Sequence, residues 1–125
     1  MSEKNKEIIE KVNAAFAEGS TEGFLSFCAD DVQWTMVGDK TVKGKEAIRQ
    51  WMTSMPSEPP KFTVANVIAE GDFVTAFGDI TMKDKDGKTV PYSYCDIYRF
   101  RGDKIVELRA FVIKTEAKYE TSSAA

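Results

Sequence analysis

The hydrophobic pattern changes period once along the chain. Over the first third, Ile8, Ile9, Val12, Ala15 and Phe16 fall on one face of a 3.6-residue repeat, with Lys4, Glu7, Lys11 and Glu18 around the rest. Gly19 follows as a left-handed stop, so the spacing predicts a first helix over about 4–18. Ser20 suits the N-cap of a short second helix carrying Phe24, Leu25, Phe27 and Cys28, with Glu22 in its first turn, where negative charge is favoured. The stretch Val32-Gln33-Trp34-Thr35-Met36-Val37 reads as a strand with Trp34 and Met36 on one side. A third helix after Gly44 carries Ile48, Trp51, Met52 and Met55 as its apolar stripe, and Pro56 ends it in a Ser57-Glu58-Pro59-Pro60 loop.

From Phe62 onward the period is two. Residues 62–70, 73–82, 89–100 and 105–114 are four strand candidates rich in β-branched and aromatic side chains. Gly71-Asp72, Asp86-Gly87 and Gly102-Asp103 separate them, each a short turn signal of the kind that joins antiparallel neighbours. Helices followed by a meander of long strands predict an α+β fold with the helices on one face of a curved antiparallel sheet. No internal repeat divides the chain, so one domain over 1–125 is expected, with 115–125 a frayed tail.

The alternation also sorts the strand faces. Tyr92, Tyr94, Asp96, Tyr98 and Phe100 share one face of their strand, and Ser93, Cys95, Ile97 and Arg99 the other. A two-residue hairpin at Asp86-Gly87 would set Phe77 opposite Asp96 and Asp79 opposite Tyr94, gathering both carboxylates into the tyrosine row. A three-residue turn at Arg101-Gly102-Asp103 would add Val106, Leu108 and Ala110 to that face, against Tyr98, Asp96 and Tyr94. Asp96 then has two readings. It is a solvated or tyrosine-bonded structural carboxylate, or it is desolvated among aromatic rings, with a raised pKa and a proton to exchange at neutral pH. Asp79 carries a weaker form of the same alternative, and the tyrosines read either as core aromatics or as acids.

Composition narrows the chemistry. Of 125 residues, 42% are hydrophobic and 30% charged, and 17 basic against 20 acidic side chains give a net charge of −3, with no basic block to grip a phosphate backbone. The chain has no histidine, which removes Ser-His-Asp and Cys-His catalysis and every His-ligated metal site, so no metal is expected. Proton transfer near neutral pH must therefore fall to a carboxylate, Tyr, Lys or Cys. Cys28 and Cys95 follow no C-x-x-C spacing and read as buried thiols in a reducing compartment. With no apolar run of ~20 residues and a charged N-terminus, a cytoplasmic protein without membrane or nucleic-acid partners is expected. No glycine-rich phosphate motif is present, and no cofactor is expected.

The order of two helices, Asp30-Asp31-Val32-x-Trp34, Gly44-x-Glu46-Ala47-Ile48, and long strands ending in Asp96-Ile97-Tyr98-Arg99-Phe100-x-Gly102-Asp103-Lys104-Ile105-Val106-Glu107 resembles one superfamily over about residues 5–114. It is the nuclear-transport-factor-2-like (NTF2-like) superfamily, in its SnoaL-like and ketosteroid-isomerase-like branch. The resemblance implies a cone-shaped barrel, with three N-terminal helices closing a strongly curved sheet over a deep pocket. It also implies a small hydrophobic ligand and a homodimer through the outer sheet face. Asp96 matches the isomerases' protonated aspartic acid, which serves as a general illustration of a carboxyl kept neutral by an apolar site. Their general base matches Met36 and their oxyanion-hole tyrosine matches Val12, so two of three catalytic positions are apolar here. Asp79 matches a pocket-lining aromatic position.

Two functions follow as expectations. In the first, the cone binds a small, largely hydrophobic molecule, with isomerase, cyclase or hydrolase chemistry through Asp96 supported by Tyr94 or Asp79. In the second, the protein is a non-catalytic ligand-binding or dimerising module. The expected lining from the helices and first strand is Val12, Phe16, Trp34, Met36 and Trp51. From the later strands it is Phe77, Tyr92, Tyr98, Leu108, Ala110 and Val112. The expected dimer face is Arg99, Ile105, Glu107, Arg109, Phe111 and Ile113.

Overall fold

The computed structural model describes residues 2–54 and 61–115, and within them three helices and six strands form. Helix α1 spans Ser2–Ala17 and α2 spans Thr21–Leu25, joined through Gly19 at φ 73°. Ser20 caps α2 as its sequence suggests, its Oγ accepting from the Gly23 N–H at 3.0 Å. Strands β1 (Cys28–Met36) and β2 (Lys40–Lys43) precede α3 (Lys45–Thr53), which starts at Gly44. The sheet is completed by β3 (Lys61–Glu70), β4 (Phe73–Lys83), β5 (Thr89–Arg101) and β6 (Lys104–Lys114). Expectations about Met55, the proline loop at 56–60 and the tail beyond 115 fall outside the described residues. No described helix is long and apolar enough to cross a membrane.

The six strands form one sheet in the order β2-β1-β6-β5-β4-β3, antiparallel except where β1 runs parallel to β6. Cys28 is not helical but opens β1 beside Ile105, and β2 is a strand that the short Lys-Thr-Val-Lys stretch did not announce. Register shifts in β1, β3 and between Arg99 and Phe100 bend the sheet, because each extra residue kinks its strand and steepens the twist. Ile8, Ile9 and Val12 of α1 and Phe24 and Leu25 of α2 pack with Val74, Ala76, Tyr98, Phe100 and Leu108, which fixes the helix-facing side of the sheet. Arg49 of α3 ties the helices together, donating to Glu22 of α2 at 2.6 Å and to Glu46 in its own first turn.

Two registers differ from expectation. The β4–β5 hairpin is closed by a backbone pair between Asp84 and Lys88, leaving a three-residue loop, Lys85-Asp86-Gly87. A two-residue Asp-Gly turn needs positive φ at both positions, and only Gly87 has it, at 82°. Instead the Asp84 Oδ1 accepts from the N–H groups of both Asp86 and Lys88 at 2.9 Å, a local turn that the side chain itself builds. One residue more in the loop turns every cross-strand partner to the other face. Ala76, not Phe77, therefore lies opposite Asp96, and Asp79 lies opposite Ser93 rather than Tyr94.

At β5–β6 the turn is the two residues Gly102-Asp103, and the pairs are Tyr98 with Leu108, Asp96 with Ala110 and Tyr94 with Val112. Because this differs by two residues from expectation, the face is preserved. The irregularity at Phe100 brings Ile105 inward, fully buried, so it leaves the expected outer set.

Candidate functional site

Three rows of side chains cross the helix-facing side of the sheet. The first runs Trp34, Leu108, Tyr98, Val74 and the second Met36, Ala110, Asp96, Ala76, while the third runs Val112, Tyr94, Gly78. The middle row is short-chained on both sides of Asp96, since only the methyl groups of Ala76 and Ala110 flank its carboxyl. The side chains on either side of Asp96 are therefore shorter than those of the rows that hold Tyr98 and Tyr94. Asp96 is half-buried, with nothing but desolvation acting on it: neither hydrogen bond nor opposite charge among the described residues offsets the burial. Its carboxyl is accordingly pushed up to about 7, where both protonation states are populated at neutral pH.

Tyr94, two residues before Asp96, commits its proton to the Thr63 carbonyl at 2.8 Å, and its ring meets Phe62 edge-on at 6.2 Å. Burial first, then the nearby Asp96 and Asp79 charges, push the Tyr94 phenol up to about 12. Tyr94 is thus a pinned wall beside Asp96, a hydrogen-bond donor already spent. Tyr98, two residues after Asp96, is fully buried, and its hydroxyl has no partner among the described residues. Trp34 lies at the start of the same row with its Nε1 likewise buried and unpartnered. Its ring joins an aromatic cluster, 5.4 Å from Phe24, 6.1 Å from Phe16 and 5.0 Å from Trp51.

The expected site residues divide accordingly. Asp96, Tyr94, Tyr98, Leu108, Ala110, Val112, Trp34 and Met36 share the helix-facing side, as does Tyr92 opposite Ile80. Phe16 and Trp51 reach it from the helices through Trp34. Val12 of α1 is wholly enclosed in the core cluster, as are Tyr98 and Leu108. Asp79 and Phe77 are on the opposite face: Asp79 is exposed, accepts from Ser93 Oγ at 3.2 Å, and borders an open recess with Lys61, Thr63 and Thr81. Their loss from the site follows from the longer β4–β5 loop.

Sequence reasoning overlooked Gly78 and Thr63. A Cβ at Gly78 would stand 2.0 Å from the Thr63 carbonyl oxygen, so only glycine lets the bulged β3 backbone approach Tyr94. The signal was present, an isolated glycine inside a strand pattern. Among the described residues no group of three or more acidic, Cys or His side chains is placed to hold a metal ion. Both thiols are free, and burial raises Cys28 to about 12.

The model of the SnoaL-like domain family matches residues 9–108 of the chain. No curated protein matches it. Among solved structures, an NTF2-like protein of unknown function from Cytophaga hutchinsonii is 26% identical, with 86% of this chain and 98% of that one covered at a TM-score of 0.74. TerC co-crystallised with polyporic acid is 22% identical, covering 86% and 89% of the two chains at 0.77. An epoxide hydrolase of M. tuberculosis is 13% identical, covering 89% and 84% at 0.78.

Proposed function

The chain belongs to the SnoaL-like domain family, and from that premise we propose that it binds a small, largely hydrophobic molecule in a pocket over Asp96 and acts on it by acid/base chemistry. One observation carries the reading. Asp96 is half-buried, meets no hydrogen-bond or charged partner among the described residues, and is pushed up to about 7 by burial among apolar and aromatic neighbours. A group so poised delivers a proton to a carbonyl, enol or epoxide oxygen when neutral, and takes one from an acidic carbon when ionised. The apolar walls supply binding, since burying ligand hydrocarbon is worth roughly 25 cal/mol per Å². Polyporic acid bound to one relative in fold, and epoxide hydrolysis by another, fit a ligand of this kind.

A second reading has its own support. With Asp79 on the far face, Asp96 is the single carboxylate of these three rows among the described residues, with no second one beside it to act as base. A protein that only binds would need no second group. Incubating enolisable bicyclic ketones in D2O separates the two. The first reading expects α-deuteration by the wild type to fall ~100-fold or more in Asp96→Asn, with the melting temperature not lowered. Equal exchange in both proteins leaves binding alone.

The proposal extends to assembly and compartment. Phe73, Ile68 and Ile113 are exposed on the uncovered sheet face, with Phe77, Ile97 and Phe111 half-buried between them, which suits a homodimer interface. Two free thiols suit the reducing cytoplasm.

A further inference from the structure

Two hydrogen-bond donors are left over in the interior. The Tyr98 hydroxyl lies in a side chain with no exposure at all, and the Trp34 indole N–H is equally sealed; neither meets an acceptor among the described residues. Buried polar groups are almost always paired, because an orphaned donor forfeits its hydration without return. These two occupy one row of the sheet, separated only by Leu108, and the next row holds Asp96 between its alanines. Indole is a donor only, and the phenol carries a free proton, so what both lack is an acceptor. No lysine or arginine belongs to these rows, and the Lys40 Nζ at the edge of the aromatic cluster rests over the Trp51 ring at 5.2 Å, so a neutral guest suits the rows themselves.

We propose that Tyr98 and Trp34 form a second polar subsite, which takes a neutral acceptor oxygen of the ligand such as a carbonyl, while Asp96 engages another. The ligand class is then an uncharged, compact hydrocarbon skeleton bearing at least two acceptor oxygens. This rests on the reading that Asp96 lies in a ligand pocket. Met36 in the row beside Trp34 and Met52 on α3 are half-buried, unbranched thioethers, the kind of side chain that re-packs to admit a guest.

The test compares 1-decalone, with one carbonyl, and decalin-1,5-dione, with two, by titration calorimetry on wild type, Asp96→Leu, Tyr98→Phe and Trp34→Phe. Each ligand-free protein is also melted. The dione should bind the wild type about tenfold more tightly than the mono-ketone, one hydrogen bond's worth, and lose that advantage in Tyr98→Phe and Trp34→Phe. Free Tyr98→Phe should melt no lower than wild type, since the deleted hydroxyl had no partner. A surviving dione advantage in Tyr98→Phe, or a melt lowered by several degrees, overturns the subsite. Asp96→Leu, which removes the hydrogen-bond donor, should weaken both ketones. Should it weaken neither while Tyr98→Phe still abolishes the dione's advantage, the role of Asp96 fails and the subsite stands. If neither ketone binds the wild type, both fail.

Discussion

The Tyr94 hydroxyl donates to the Thr63 carbonyl at 2.8 Å across the bare backbone of Gly78, linking β5 to β3 over the strand between them. The register shift at Ala65 lies two residues further along β3. Tyr94→Phe strands the carbonyl and should lower the unfolding free energy by about 1–2 kcal/mol. Gly78→Ala should cost at least about 2 kcal/mol, because its Cβ would overlap backbone rather than a movable side chain. Urea titration reads both. An unaffected Gly78→Ala would mean that β3 is free to move away, and the Tyr94 wall with it.

Asp96 should make stability fall as pH rises. Its carboxyl sits at about 7 in the folded chain against an ordinary value of 3.8, so between those limits the folded state holds a proton that the unfolded state has released. Stability from this group is complete below about pH 4, declines through the window, and is gone above about 7. The full span is worth up to about 4 kcal/mol, less whatever solvent reaching the carboxyl recovers. Asp96→Asn, which has no charge to bury, should match wild type near pH 4 and exceed it near pH 8. Parallel curves for the two proteins across that range would show the carboxyl to be well hydrated.

How much of this was legible depended on local chemistry. The cap at Ser20, the start of α3 after Gly44, the core stripe of α1 and the limits of four long strands followed from spacing, because each rests on residues adjacent in sequence. Asp96 and its tyrosines fell on the right side because they share a strand, and period two holds within a strand whatever lies beside it. Asp79 and Phe77 did not, because their face depends on loop length. The Asp-Gly pair suggested two residues, whereas the Asp84 side chain closes three. β1 against β6 was invisible for a different reason, as nothing in a sequence announces a parallel partner some seventy residues distant.

The same loop offers a direct check. Asp84→Ala removes the acceptor for two backbone N–H groups and should destabilise by about 1 kcal/mol, whereas Asp86→Ala, which accepts nothing in the loop, should be near neutral. Thermal melts of the two variants decide it. The reverse order would favour a two-residue turn and return Asp79 to the tyrosine row.

The uncovered sheet face yields the last expectation. Ile113 is 68% exposed, Ile68 54% and Phe73 48%, three large apolar side chains on the sheet face away from the described helices. Arg99 pairs with Glu107 on this face at 3.2 Å, while Arg109 and Asp79 stand exposed on it, so both signs of charge lie among the apolar groups. A two-fold copy can meet such a surface, because a patch carrying both signs is able to complement itself. Sedimentation equilibrium should give the dimer mass for wild type and the monomer mass for Ile113→Lys and Phe73→Lys. Neither side chain belongs to the core, so a lysine there should leave the fold intact and only place unmatched charge in the contact. The melting temperature of wild type should rise with protein concentration, and that of the variants should not. A wild type that sediments as a monomer throughout would leave this face to some other partner.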